Sequence, residues 1–222
     1  MKRIFIEARA KLKPDAIPKL GKNECGKLGK RVAIVSSVQF LSFLPALREN
    51  LEKHGLSVVP LKGRHSKYEG QVLGCDLPGK VDAESILYVG DGVFHAEGLA
   101  LRTDKPVFVL NPTGGFFQID HKKIEEEKKR EKGNLIAFLS ASRIGVIIST
   151  KPGQSALDQA KKLEKKYPDK EFYMLIGDTI DVNRLLDFKF VEVFVNSACP
   201  RLTADIREKG LKAIGIETAL KL

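Results

Sequence analysis

Ile86-Leu87-Tyr88-Val89-Gly90-Asp91-Gly92-Val93-Phe94-His95-Ala96-Glu97-Gly98-Leu99-Ala100-Leu101 passes directly from an apolar strand, through a glycine turn, into a short helix. Ile86 to Val89 is an unbroken apolar run, the form taken by a strand buried on both faces of a parallel sheet. Upstream, Val32-Ala33-Ile34-Val35 has the same character. A helix follows Ser36-Ser37, with Phe40, Leu41, Leu44, Leu47 and Leu51 on one side. Pro45 sets its start shortly before that residue, and Gly55 closes it. Leu56 to Leu61 is the next strand, and Gly63 to Val81 is rich in turn residues. Ile4-Phe5-Ile6 reads as a short strand, and the stretch from there to Lys30 as connection with a helical turn.

Downstream the alternation continues. Val107 to Leu110 is a strand ending at Asn111-Pro112, and a charged helix begins near Asp120. Gly133 is expected to weaken or break that helix before Leu135 to Leu139. The pattern then repeats: strands at Val146–Ile148, Phe172–Ile176, Val191–Val195 and Ala213–Ile216, helices at Ser155–Tyr167, Val182–Phe188 and Ala204–Lys209. Short apolar strands alternating with helices predict an α/β fold of two successive parallel-sheet domains with helices on both faces. The domains expected are 1–30 (a strand and connection), 31–133 and 134–222, with the division inside the charged helix.

A chain of 222 residues suffices for one large domain or two small ones. No apolar run reaches bilayer length and no signal-peptide stretch opens the sequence, so no membrane contact and a cytoplasmic location are expected. The net charge of +10 suits an acidic partner or simply a lysine-rich solvated surface. Ile124-Glu125-Glu126-Glu127-Lys128-Lys129-Arg130 mixes both signs in the manner of a salt-bridged helix face. No aromatic-and-basic RNA-binding signature interrupts it, and nucleic acid is not expected. Cys25, Cys75 and Cys199 are odd in number, which argues against a disulfide framework, and form no Cys-x-x-Cys pair, which argues against a zinc ribbon.

Ligands of open parallel sheets bind beyond the carboxyl ends of the strands, and the unusual residues collect there. They are Gly90-Asp91-Gly92-Val93-Phe94-His95, Ser149-Thr150-Lys151-Pro152-Gly153-Gln154 and Asn196-Ser197-Ala198-Cys199-Pro200-Arg201. Glycines allow close backbone approach, and exposed N–H groups of a following helix hold anions. Each feature also has a plain reading: turns, a small buried cysteine at Cys199, helix packing or capping for His95, and helix N-caps at Asp178 and Asp181. No P-loop, dinucleotide fingerprint, nucleophile elbow or zinc-protease motif is present, and no catalytic residue is assigned.

Taken together, the segments resemble the diphthamide-synthesis enzymes, which make 2-(3-amino-3-carboxypropyl)histidine. Gly70-Gln71-Val72-Leu73-Gly74-Cys75 is similar to that family's second cysteine motif and Ala198-Cys199-Pro200-Arg201 to its third. Ser149 to Gln154 resembles the Lys-x-Gly-Gln turn, Gly92 to Ala100 the Phe-His-x-x-Gly-Leu-Ala segment, and Val35-Ser36-Ser37-Val38-Gln39 the Thr-Thr-x-Gln turn. The order is the family's order over almost the whole chain.

The resemblance implies an α/β fold matching the second and third of three similar domains, each giving one cysteine to a 4Fe–4S cluster with an iron left for S-adenosylmethionine. It implies transfer of a 3-amino-3-carboxypropyl group, by radical chemistry, to a histidine of translation elongation factor 2. Cys75 and Cys199 are the implied metal ligands, and Gln71, Asp91, Gly92, His95, Lys151, Gly153 and Gln154 the implied cofactor-binding residues. Ile4-Phe5-Ile6-Glu7 aligns with the closing strand of the first domain, so that domain and its cysteine are expected to be absent. Cys25, in the connection, is a further candidate ligand. A homodimer, or a heterodimer with a chain supplying the missing domain, is expected. The competing expectation is a non-catalytic paralogue, a binding or scaffold protein without a competent cluster.

Overall fold

The apolar runs do form strands, and their pairing divides them into two parallel sheets. A computed structural model describes residues 6–13, 16–63, 65–74, 76–151 and 156–221. The expected strand at Ile4-Phe5-Ile6 thus falls largely outside the described residues. The chain divides between Glu125 and Glu126 into two compact units.

In the first unit, a short helix α1 (Lys22–Lys27) leads into strand β1 (Arg31–Ser36). A turn of 3-10 helix, Val38–Phe43, then precedes α2 (Leu44–Lys53), whose first turn accommodates Pro45. Next come β2 (Ser57–Val59), β3 (Ser85–Val89), α3 (Phe94–Arg102), β4 (Val107–Asn111) and β5 (Gly115–Gln118). The sheet order is β2-β1-β3-β4-β5. All neighbours are parallel except β4 and β5, which form an antiparallel hairpin. That hairpin departs from the expected alternation. Phe116 on β5 stacks on Phe108 of β4 with ring centroids 5.4 Å apart, and Thr113 N–H bonds the Asn111 carboxamide across the turn.

The two-residue period of the strands sorts their side chains into separate cores. Val32, Ile34, Leu87, Val89, Phe108 and Leu110 pack with α1, α2 and the 3-10 turn. Ala33, Val35, Ile86, Tyr88, Val107 and Val109 pack on the other face with Ala96, Leu99 and Ala100 of α3.

Helix α4 runs unbroken over His121–Ser140. The expected break at Gly133 does not occur, because an interior glycine costs only about 1 kcal/mol relative to alanine and Phe138, fully buried, anchors the last turns. The second unit continues with β6 (Arg143–Ser149), α5 (Leu157–Lys166), β7 (Glu171–Gly177), a 3-10 helix (Val182–Asp187), β8 (Val193–Asn196), α6 (Arg201–Glu208), β9 (Ala213–Gly215) and α7 (Ile216–Lys221). Its sheet is wholly parallel, in the order β7-β6-β8-β9. This repeats the β2-β1-β3-β4 order of the first unit. Ile144, Val146 and Ile148 face Phe138, Leu163 and Ala219, whereas Ile147 and Phe194 face Leu185 and Ile206. No helix among the described residues is long and apolar enough to cross a membrane.

Candidate functional site

In a parallel sheet the strand ladder stops at the carboxyl ends, and the last peptide groups there need other partners. In the first unit Ser36 supplies them. Its N–H donates to Gly70 O at 2.7 Å, its C=O accepts from Val72 N at 2.9 Å, and its Oγ donates to Val89 O at 2.8 Å. One buried serine thus ties the end of β1 both to the end of β3 and to the loop carrying Gln71. Gly70 holds φ +75°, and a Cβ there would lie 2.5 Å from Leu44 Cδ1. Glycine is required at this corner on both counts.

Gln71 is buried, and its Oε1 accepts from the Lys67 and Tyr68 N–H groups at 2.9 and 3.1 Å, so that oxygen shapes the loop. The next residues bring Gly74 against the start of α3. A Cβ on Gly74 would lie 2.9 Å from Phe94 Cε1 and 4.0 Å from His95 Nε2. Cys75 lies outside the described residues.

His95 stacks on the buried ring of Tyr88, centroids 5.6 Å apart, with Nδ1 3.3 Å from the Tyr88 hydroxyl. Phe94 closes edge-on at 5.4 Å. Burial, reinforced by the Asp91 charge, pushes the Tyr88 phenol up to about 12, so it stays protonated. Burial also lowers the His95 imidazolium, against a smaller opposing pull from Asp91. The tautomer in which Tyr88 donates to Nδ1 leaves the imidazole proton on Nε2, the nitrogen that faces Gly74. Asp91 and Gly92 are exposed in the turn between β3 and α3, Gly92 at φ +73°.

The second unit uses the same device with different residues. Ser197 Oγ donates to Ile147 O at 2.7 Å and ties the end of β8 to β6. Asn196, the last residue of β8, is buried and organises the loop that follows. Its Oδ1 accepts from Ala198 N at 2.9 Å, and its Nδ2 donates to Cys199 O at 2.8 Å and to Thr203 Oγ1 at 2.9 Å. Cys199 is a free, half-buried cysteine directly before α6. Beyond β6, Lys151 is exposed and its N–H donates to Ser149 Oγ at 3.1 Å. Gly153 and Gln154 lie outside the described residues.

Within the first unit, Gln71, Asp91, Gly92 and His95 thus gather at one end of one sheet. Cys25 does not join them. It sits in α1, ahead of the amino end of β1, packed in the apolar core, with its thiol 3.9 Å from Leu20 O. Burial raises its pKa, so it behaves as a small hydrophobe. Asp181 accepts from Asn183 N at 3.0 Å as the N-cap of the 3-10 helix, the plain role allowed for it. Among the described residues, no three His, Cys, Asp or Glu side chains are grouped to hold a metal ion. Sequence reasoning placed Ser36, Asn196 and Ser197 in strand-end motifs without giving them a role, and gave Tyr88 none beyond its strand. The available signal was a polar side chain at the last position of an apolar strand, where ladder bonding ends.

Comparison with known proteins bears on these strand-end motifs. The family model for diphthamide synthesis proteins matches residues 1–210. The 2-(3-amino-3-carboxypropyl)histidine synthase of Pyrococcus horikoshii is 33% identical over 207 residues, covering 91% of this chain and 59% of its own length. Subunit 1 of the corresponding Caenorhabditis elegans synthase is 30% identical over 192 residues, covering 80% of this chain and 46% of its own length. A crystal structure of Dph2 from Pyrococcus horikoshii with a 4Fe–4S cluster superposes with a TM-score of 0.77 at 31% identity, over 88% of this chain and 58% of that one. The chain therefore spans roughly half of the relatives it matches, and with its strand-end motifs in the family's order over nearly all its length, it belongs to the diphthamide synthesis protein family.

Proposed function

We propose that this chain acts in diphthamide biosynthesis as part or all of a 3-amino-3-carboxypropyl transferase, with Cys75 and Cys199 as thiolate ligands of a 4Fe–4S cluster. The observation that carries the reading is Cys199, a free thiol, half-buried, on a strand-end loop fixed by a buried asparagine. Such a thiol suits a cluster, which needs soft sulfur donors on a frame that does not shift. The crystallised relative from Pyrococcus horikoshii contains a 4Fe–4S cluster. When bound, the cluster supplies the electron for reductive cleavage of the S-adenosylmethionine sulfonium. A third thiolate comes from outside these residues, because Cys25 is committed to the core.

The chain's own residues then have distinct tasks. Lys151, an exposed cation at a strand end, would pair with the carboxylate of the amino-acid moiety of S-adenosylmethionine, with Gly153 and Gln154 beside it in sequence. Asp91 and Gly92 form an exposed turn for the cofactor's polar groups. Gln71 shapes the loop ahead of residue 75 in the sequence, and His95, its imidazolium disfavoured by burial, keeps an N–H. The acceptor is a histidine of translation elongation factor 2, which places the reaction in the cytoplasm, and the working form includes a second chain.

Iron and sulfide content after strictly anaerobic reconstitution, read with the visible spectrum, tests the assignment. About four irons per chain or per dimer are expected, lost in Cys75→Ala and in Cys199→Ala. Iron binding unchanged in Cys199→Ala refutes the ligand assignment. Absence of iron from the unmodified chain, alone and with a second chain that carries a further cysteine, instead favours a binding or scaffold paralogue.

A further inference from the structure

Tyr88 carries a hydroxyl into an apolar core, where it is 1% exposed among Val35, Ile86, Ala96 and Leu99. A buried phenol O–H needs a partner, and His95 Nδ1 lies 3.3 Å from it. Of the two, the imidazole nitrogen is the better acceptor and the phenol the better donor, so the proton between them belongs to Tyr88. Burial and the Asp91 charge raise the phenol, whereas the Ser37 hydroxyl beside it pulls the other way, as a donor to the phenol oxygen does. With Ser37 donating to that oxygen, the phenol's own proton is left for Nδ1. The register of β1 on β3, with Val35 opposite Tyr88 and Ser36 opposite Val89, brings Ser37 to this point. Gly90 makes room for the arrangement. A Cβ on residue 90 would lie 2.5 Å from the Tyr88 hydroxyl oxygen and 2.7 Å from Cζ, on a ring fixed by its packing. Unlike Gly70 and Gly92, Gly90 holds no left-handed φ, so space rather than backbone conformation calls for glycine there.

We infer that Tyr88 is a positioning residue for His95: by donating to Nδ1 it fixes the ring and keeps the imidazole proton on Nε2, so that His95 offers a ligand a donor and nothing else. An imidazole without that partner exchanges its proton between the two nitrogens and serves as donor or acceptor from either. Held by Tyr88, it discriminates. A hydrogen-bond acceptor, such as a hydroxyl or carboxylate oxygen, is received at Nε2, whereas an ammonium or other N–H group meets a proton instead of a lone pair. Nε2 points toward Gly74, where a Cβ would lie 4.0 Å from it, and the bare glycine leaves that approach open. The inference rests on the reading of His95 as a cofactor-binding residue, in which S-adenosylmethionine carries the acceptor. The Tyr88 contact itself is built from the first unit alone, so protein without iron tests it independently of the cluster assignment.

The test is the nitrogen-15 spectrum of the imidazole rings at neutral pH on iron-free protein, with His95→Gln assigning the signals among the four histidines. His95 is expected with Nδ1 bare and hydrogen-bonded and with the proton on Nε2. Tyr88→Phe deletes one oxygen and keeps the ring. It is expected to move Nδ1 to the position of an unbonded nitrogen and to let the second tautomer appear. Gly90→Ala displaces the hydroxyl and is expected to do the same. A His95 protonated on Nδ1, or a ring spectrum unchanged in Tyr88→Phe, overturns the inference; should that variant fail to fold, the unmodified spectrum and Gly90→Ala decide. Equilibrium dialysis of S-adenosylmethionine against the reconstituted protein supplies the second readout. Tyr88→Phe is expected to weaken binding about fivefold, and to change nothing once His95 is replaced by alanine. Weakening that persists in the His95→Ala background overturns the inference, because Tyr88 then acts without His95. Binding absent from the unmodified chain, or unchanged in His95→Ala, refutes instead the cofactor role of His95, and the ring spectra still decide the Tyr88 assignment.

Discussion

Replacing Asn196 by alanine deletes one buried side chain that makes three hydrogen bonds, to Ala198 N, Cys199 O and Thr203 Oγ1. Cys199 O keeps a second partner, Leu202 N at 3.0 Å, and is not left bare. The Thr203 hydroxyl can rotate, whereas the Ala198 N–H loses its acceptor. At about 1 kcal/mol net for each bond, the loss comes to about 2–3 kcal/mol of stability in the second unit. Urea unfolding followed by circular dichroism measures it as a shift of midpoint at constant slope. The same change frees the loop, so the Cys199 thiol should react faster with a maleimide, measured in a Cys75→Ser background. Asn196→Asp keeps the acceptor for Ala198 but turns a carboxylate toward the Cys199 carbonyl, and should destabilise at least as much. A loss under about 1 kcal/mol with an unchanged thiol rate refutes the claim that Asn196 holds this loop.

His95, its imidazolium lowered by burial, makes stability depend on pH. The unfolded chain binds the proton near the ordinary value of about 6.5 while the folded one resists it. Stability is therefore complete above that value and falls as pH drops toward the folded value. His95→Gln should flatten this slope in unfolding midpoints measured between neutral and mildly acid pH. Gly70→Ala combines a left-handed residue with a clash on Leu44 and should cost about 2–4 kcal/mol. Calorimetry of the variant checks it, and a loss under about 1 kcal/mol would show that the corner can relax.

The strands of both sheets were readable because each is a short apolar run followed by glycine or small polar residues. The antiparallel β5 was not, since Gly115-Phe116-Phe117-Gln118 follows a turn without periodicity and is held by Phe116 stacking on Phe108, a contact invisible in sequence. Gly133 misled because local propensity is weak beside the burial of Phe138, residues later in the same helix. The last residues were read as one strand to Ile216, where the chain instead begins α7. At the candidate site, the family resemblance put Gln71 and His95 among seven implied cofactor-binding residues. Their neighbours Tyr88, read as a strand residue, and Ser36, read as part of a turn, had no assigned role, and only the pairing of β1 with β3 joins the two strand ends there.

Helix α4 offers a practical lesson for dissecting the protein. Ile124, near its start, fills the core of the first unit, and Phe138, near its end, fills a core of the second. Glu127 pairs with Arg207 at 2.6 Å and Glu131 accepts from Thr218 Oγ1 at 3.4 Å, both within the second unit. A fragment ending at Glu125 keeps Ile124, and one beginning at Glu126 keeps Phe138 and both acidic partners. A scissor placed at Gly133, where the sequence looks weakest, would instead leave Glu127 and Glu131 on the wrong piece and strand Arg207 without its carboxylate.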